Sequence, residues 1–275
     1  MASLPGERSK PAGPLAEFVV FGWKQARSCV FAGSFFVVLL VSSHLPLGAL
    51  ARYDFILLAA IAIQIVLLAR RLETPAEAAV LIAFHLLGLG LEWFKTRPEI
   101  GSWSYPEPAF SKLGAVPLYS GFMYAAVASY MCQSWRILQL HLTGYPPHAL
   151  SLLLSAAIYA NFFTHHWIGD LRWWLVGAVV ILFARTRVRF TVVARERSMP
   201  LVLSFVLIGF FVWVAENLAT FFGAWVYPHQ QRAWSLVSTG KISSWALLVI
   251  VTFILVADLK HVREGEAAVS RDRRS

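Results

Sequence analysis

Long apolar blocks without charged residues dominate the chain. Residues 28–51, 113–135 and 149–169 contain no Asp, Glu, Lys or Arg. A helix needs about 20 apolar residues to cross the hydrocarbon core of a bilayer. The same pattern, followed along the whole chain, predicts eight helices, at residues 29–48, 54–70, 77–94, 113–136, 149–167, 172–190, 199–220 and 242–259. The predicted fold class is all-α, a polytopic membrane helix bundle.

Composition and charge support a membrane protein over a soluble one. Hydrophobic residues make up 58% of the 275 residues and charged residues only 14%, whereas soluble domains carry about 25% charged residues. The net charge of +9 lies mostly beside the apolar blocks, as expected for contact with anionic lipid. Membrane lipids are therefore the expected partner, and nucleic acid is not.

The distribution of basic residues also predicts an orientation. With the N-terminus placed inside, 17 of the 24 Lys and Arg residues fall in inner segments and 7 in outer segments. Positive residues gather on the cytoplasmic side of membrane proteins. Both termini are therefore predicted to be cytoplasmic, which agrees with an even number of helices.

One motif occurs twice. Gly-x-Trp-x-Tyr-Pro stands at residues 101–106 and again 122 residues later, at 223–228. This spacing predicts a parallel 4+4 internal repeat, in which two four-helix units are related by an axis along the membrane normal. The predicted divisions are a cytoplasmic N-terminal segment (1–28), a first repeat (29–140), a second repeat (149–261) and a disordered basic tail (262–275).

The candidate catalytic residues are Glu216 and Glu92, at the outer ends of the seventh and third predicted helices. Ionisable residues inside a membrane are costly and usually mark a functional site. Glu216 has no basic residue within a helical turn, which favours it as the principal acid, with Glu92 as its counterpart. The alternative for Glu92 is a surface salt bridge to Lys95, three residues on.

The residues expected to bind substrate surround these carboxyl groups. Aromatic faces beside an acid can stabilise a transient cation, although an aromatic belt at the interface is the plainer explanation. The predicted substrate-binding residues are Trp103, Tyr105, Trp225, Tyr227, His44, His166, Asn161 and Asn217. A metal site of the histidines and glutamates is an alternative that the spacing does not demand, so neither a metal nor a cofactor is predicted.

The stretch from Glu92 to Pro106, together with Glu216-Asn-Leu-Ala-Thr and the second copy of the motif, resembles the YoaT-like family of bacterial integral membrane proteins. That family is named for an unknown function. The resemblance extends from about residue 14 to about residue 261, and it implies a location in the bacterial inner membrane.

A duplicated glutamate followed by Gly-x-Trp/Tyr-x-Tyr is also similar to membrane carotenoid hydratases and heterodimer-type lycopene cyclases. This more distant resemblance implies that Glu92 and Glu216 protonate a polyene. The Pro-x-Glu-Glu run of the cyclases is absent here.

Three functions follow as hypotheses. The first is a membrane-embedded enzyme that uses acid–base chemistry on an isoprenoid or other lipid-like substrate. The second is a small-solute permease, since parallel duplicated bundles are a transporter design. The third is a non-catalytic membrane partner or sensor.

Overall fold

The computed structural model describes residues 13–193 and 195–272, with side chains up to residue 257. Most of this part is helical, as predicted. Its nine α-helices are α1 (Pro14–Ser28), α2 (Val30–Ser42), α3 (Arg52–Ala69), α4 (Pro75–Lys95), α5 (Ser120–Ile137), α6 (His148–Ile168), α7 (Arg172–Leu182), α8 (Leu201–Phe221) and α9 (Lys241–Asp272). Helices α2 to α9 overlap the eight predicted helices, whereas α1 lies in the predicted N-terminal segment, where no helix was expected.

Five short strands were not predicted. Strands β1 (Lys112–Leu113) and β2 (Val116–Pro117) form a hairpin, while β3 (His141–Thr143), β4 (Arg187–Thr191) and β5 (Glu196–Pro200) form an antiparallel sheet in the order β3-β4-β5. The first hairpin delays the start of α5, because Gly114 turns the chain with φ +63°. The sixth predicted helix ends early, at Leu182, because the alternating sequence from Arg187 onward suits a strand.

Helices α3, α4 and α8 are long and apolar enough to cross a membrane. Helices α1 and α2 together form a fourth candidate, bent by 67° at the break between them. Helix α7 and the 241–257 part of α9 are apolar but shorter. The described residues thus hold three or four candidate spans, and the eight-span 4+4 arrangement stays a prediction. The predicted tail starts within α9, and residues 273–275 lie outside the described part.

Two helix pairs form the frame of the molecule, α4 with α5 and α8 with α9. In each pair a glycine lets the partner helix approach closely. A Cβ atom on Gly88 would lie 2.4 Å from the Tyr124 ring, and one on Gly209 would lie 2.8 Å from the backbone nitrogen of Ala246. Small residues commonly allow such close contacts between helices in membranes.

A single methyl group at this contact is expected to destabilise the protein. Gly209→Ala places its Cβ atom against backbone, so α8 and α9 must separate, at a cost of about 1–3 kcal/mol for overpacking. Gly177→Ala in α7 is the matched control, because its Cβ atom meets nothing within 4 Å. Thermal unfolding in detergent should show a lower midpoint for Gly209→Ala only. Equal midpoints for the two variants would contradict this packing.

Candidate functional site

The first turn of α3 holds the two copies of the repeated motif, which we term the first aromatic loop (101–106) and the second aromatic loop (223–228). Arg52 donates hydrogen bonds to Glu107 Oε1 at 2.6 Å, just after the first loop, and to the carbonyl oxygens of Phe222 at 2.5 Å and Gly223 at 3.2 Å. Asp54 accepts hydrogen bonds from two further backbone amides of the segment after the first loop. Both loops are therefore fixed against one helix end.

The two aromatic loops also pair directly. Ser104 and Val226, the fourth residue of each motif, exchange backbone hydrogen bonds of 2.9 and 3.0 Å as an antiparallel bridge. Gly101 and Gly223 begin the loops at φ +55° and +69°, a conformation that glycine adopts without strain. The two copies of the Gly-x-Trp-x-Tyr-Pro motif thus form two loops that pair with each other.

Glu92, near the end of α4, is held by three hydrogen-bond donors. Its Oε2 accepts from Trp103 Nε1 at 2.6 Å and from the Tyr105 hydroxyl at 2.7 Å, both on the first aromatic loop. Its Oε1 accepts from the Tyr124 hydroxyl on α5 at 2.8 Å. The Glu92 side chain is only 2% exposed. Its carboxyl group is consequently fixed in one orientation.

Glu216, near the end of α8, has a similar setting. Its Oε1 accepts from the Tyr227 hydroxyl on the second aromatic loop at 2.5 Å, and its Oε2 accepts from Trp245 Nε1 on α9 at 2.6 Å. Each glutamate thus receives one donor or more from its own loop and one from the helix that follows the loop.

The loop tyrosines act as permanent donors. Burial, together with the neighbouring Glu92 carboxyl, raises the pKa of Tyr105 well above its usual value. Burial and the Glu216 carboxyl do the same to the pKa of Tyr227. Both phenols therefore stay protonated at physiological pH and keep orienting the carboxyl groups.

Both glutamates face one cavity of about 150 Å³. Lys241, the first residue of α9, lies in the same cavity, and its Nζ is 4.9 Å from the centre of the Tyr227 ring and 5.5 Å from that of Trp103. Burial lowers the pKa of Lys241, whereas the charges of Glu216 and Glu92 oppose this shift and favour the ammonium form. The cavity therefore combines two carboxyl groups, one ammonium and aromatic rings.

Further charged residues lie at one side of the cavity. Lys95 Nζ is 2.8 Å from His166 Nε2 and 3.4 Å from His165 Nε2. Asp170 forms an ion pair of 3.0 Å with Arg172. Burial alone would raise the pKa of Asp170. The backbone amide and the guanidinium of Arg172 nevertheless hold this pKa below its usual value.

The alternative explanation of Glu92 as the partner of Lys95 is wrong. No ion pair joins these two residues within the part of the chain that the structure describes. The Glu92 carboxyl points toward α5 and the first aromatic loop, whereas Lys95 contacts the histidines of α6.

The structure brings together seven of the ten predicted site residues and places the other three elsewhere. Glu92, Glu216, Trp103, Trp225, Tyr227 and Asn161 line the cavity, and Tyr105 reaches it through its hydrogen bond to Glu92. His166 lies beside the cavity and contacts two of its lining residues, Lys95 and His165. His44 lies in a separate open groove with Arg52 and Glu107. Asn217 points away and links the Trp213 carbonyl to the Val237 amide.

Sequence reasoning did not predict Lys241, Tyr124 or Trp245 as site residues. A signal for the last two exists, because the displacement of 122 residues between the loops places Tyr124 opposite residue 246, next to Trp245. No comparable signal marks Lys241, because Trp103, one of the rings that its Nζ contacts, is distant in sequence.

No group of three or more His, Cys, Asp or Glu residues suited to a metal ion occurs among the described residues. The groups that face the cavity are chiefly carboxyl, ammonium and aromatic groups.

The fold and site define a class: a helical protein with several apolar helices of membrane-spanning length and two buried glutamates that face one cavity. The chain belongs to the family described as "Protein of unknown function (DUF817)", whose model matches residues 17–253. The sequence of this chain is 53% identical over 250 residues to the "Uncharacterized protein YoaT" of Bacillus subtilis (strain 168), a match that covers 91% of this chain and 94% of that protein.

These matches confirm the resemblance to the YoaT-like family. The more distant resemblance to carotenoid hydratases and lycopene cyclases finds no such support and stays a prediction. No solved structure matches the chain significantly.

Proposed function

We propose that this protein is a multi-pass membrane enzyme that transfers protons on a lipid-like substrate. Glu216 is the principal acid–base group, and Glu92 is its counterpart. The observation that carries the proposal is that two glutamates from different helix pairs, each oriented by indole and phenol donors, face a single cavity that also holds the Lys241 ammonium.

Such a site suits proton transfer for two reasons. A positioned carboxylate can take a proton from one substrate atom and, after this proton exchanges with solvent, deliver a proton to another atom, which gives an isomer and needs no other reactant. The fixed ammonium of Lys241 can stabilise the negative charge that develops when the proton leaves, because oriented charges act strongly in a site that excludes water. Hydrogen-bond donors hold the carboxyl groups in place before the substrate arrives.

The position of Lys241 also separates this mechanism from carbocation chemistry. Its ammonium already lies within 5.5 Å of the centres of the Trp103 and Tyr227 rings, which are among the aromatic faces expected to stabilise a transient cation. A second positive charge there would be repelled. We therefore propose an anionic intermediate instead of a cationic one.

The proposal includes the predicted arrangement in the membrane, with eight helices in a 4+4 repeat, both termini in the cytoplasm and a location in the bacterial inner membrane. Support comes from the similarity of the two helix pairs. Each pair carries a glutamate at the end of its first helix, an aromatic loop, and a donor on its second helix, Tyr124 or Trp245.

A permease for small solutes is the second candidate, and one observation favours it. A buried polar cluster lies at the opposite end of α4, where Glu73 is 2% exposed and accepts hydrogen bonds from Gln64 and Ser129 at 2.5 Å each. A solute path needs polar groups at both ends of a bundle, and this cluster provides them at the second end.

Lipid profiling distinguishes the two candidates. Cells that express wild type, Glu216→Gln, Glu99→Gln or an empty vector are compared by liquid chromatography with mass spectrometry of total lipids and isoprenoids, because an isomer keeps its mass and differs in retention. Glu99 is the matched control, because it is exposed and lies outside the cavity. We expect one lipid species to change with wild type and Glu99→Gln only. Identical profiles at equal expression would exclude the enzyme and direct attention to solute uptake.

A further inference from the structure

The Lys241 ammonium has unused hydrogen-bonding capacity. Its Nζ contacts the Tyr227 and Trp103 rings, but across the described ranges no oxygen or nitrogen accepts a hydrogen bond from it. An ammonium group carries three donors and no acceptor. Aromatic faces compensate only part of the cost of removing such a group from water.

The other charged groups of the cavity are already engaged. The Glu92 and Glu216 oxygens each accept at least one hydrogen bond from a phenol or an indole. Arg172 contacts Asp170 and the carbonyl oxygen of Gly240, and Lys95 contacts His166. Lys241 is therefore the main charged group in the cavity that still needs a hydrogen-bond acceptor.

A neighbouring hydroxyl extends this donor surface. Ser244 lies three residues after Lys241 on α9, which places both on one face of the helix, and both line the cavity. An ammonium and a hydroxyl side by side match the several acceptor oxygens of a carboxylate or a phosphate.

Part of the remaining lining is apolar. This apolar part includes Leu91, Met123, Phe162, Leu247 and Leu248. These side chains come from α4, α5, α6 and α9, and they suit hydrocarbon, whereas the free donors suit an oxyanion. A volume of about 150 Å³ holds a head group and a short part of a chain, so a longer chain must extend out of the cavity.

From this geometry we infer that the cavity binds an amphipathic anion, whose carboxylate or phosphate head contacts Lys241 and Ser244 and whose hydrocarbon chain lies along the apolar lining. The inference rests on the proposed function and specifies its substrate class. It also gives Lys241 a role in binding that does not depend on turnover.

Ligand-induced stabilisation of the purified protein tests this inference. The full chain in detergent is heated with palmitate or farnesyl phosphate, with the neutral alcohols hexadecanol and farnesol, and with acetate or inorganic phosphate. We expect at least one amphipathic anion to raise the unfolding midpoint, while its alcohol and the chainless anions do not. Loss of a charged partner in a desolvated site should raise the Kd of Lys241→Gln by about 100-fold.

Three variants keep the result interpretable. Lys241→Arg preserves the charge and should retain part of the binding if Lys241→Gln folds poorly. Arg232→Gln removes an exposed cation from the same end of the molecule, outside the cavity, and should bind like wild type. Glu216→Gln loses a negative charge beside Lys241 and should bind the anion at least as tightly as wild type, although it cannot transfer protons. Binding by wild type without any change in the lipid would remove the enzymatic function and leave the ligand assignment standing.

Several outcomes would overturn the inference. Equal stabilisation by the alcohols would show that the head group is not recognised as an anion. Stabilisation by acetate or phosphate alone, as strong as that by the amphiphiles, would identify a free anion as the ligand. Unchanged affinity in Lys241→Gln would place the head group elsewhere.

Discussion

Replacing Glu216 by glutamine is expected to slow conversion of the lipid substrate by about 10²–10⁴-fold, the usual contribution of a positioned acid–base group. The variant should still fold, because the amide oxygen can accept from Trp245, which only donates. The amide NH₂ can then donate to the Tyr227 hydroxyl, whose oxygen is able to accept. The loss would therefore report on chemistry.

The measurement combines the rate of change of the lipid species found by profiling with the unfolding midpoint of the variant. Glu99→Gln, with the same substitution on the exposed surface, should match wild type in both. A Glu216→Gln variant that is stable and fully active would exclude Glu216 as the acid–base group.

Replacing Glu92 by alanine is expected to cause the largest loss of stability, roughly 3–6 kcal/mol. The substitution leaves the donors of Trp103, Tyr105 and Tyr124 without their common acceptor, and a buried unsatisfied donor costs about 1–3 kcal/mol. Glu92→Gln should lose much less, because its oxygen can serve Trp103 and Tyr105 while its NH₂ group donates to Tyr124.

This prediction is tested by thermal or denaturant unfolding of the two Glu92 variants and of Glu99→Ala. The expected order of stability is Glu99→Ala, then Glu92→Gln, then Glu92→Ala well below both. If Glu92→Ala were as stable as Glu99→Ala, the three hydrogen bonds would not organise the first aromatic loop as the structure indicates.

The sequence predicted the parts of this site that local patterns encode. The repeated Gly-x-Trp-x-Tyr-Pro motif and the glutamate before each copy marked the loops and the carboxyl groups, because backbone requirements for Gly and Pro are local. Apolar blocks marked most helices, because the apolar residues of one helix are also neighbours in the sequence. The grouping of Glu92 and Glu216 at one end followed from alternating helix direction.

What the sequence did not predict depends on contacts between distant residues. Lys241 looked like an ordinary outer cation, because its relation to Trp103 arises only when α9 packs beside the first aromatic loop. Asn217 adjoins Glu216 in sequence but lies about 100° around the helix and bonds backbone groups instead. His44 lies near the same end but in the turn after α2, where it lines a separate groove.

Isotope incorporation from solvent would report directly on proton transfer by Glu216 in the shared cavity. Protein in lipid nanodiscs is incubated with a total lipid extract in deuterium oxide, and the lipids are then analysed by mass spectrometry. We expect a species that gains non-exchangeable deuterium with wild type and with Glu99→Gln, but not with Glu216→Gln. Equal incorporation with Glu216→Gln would contradict proton transfer by Glu216. A lack of incorporation with wild-type protein that converts the lipid would contradict it as well.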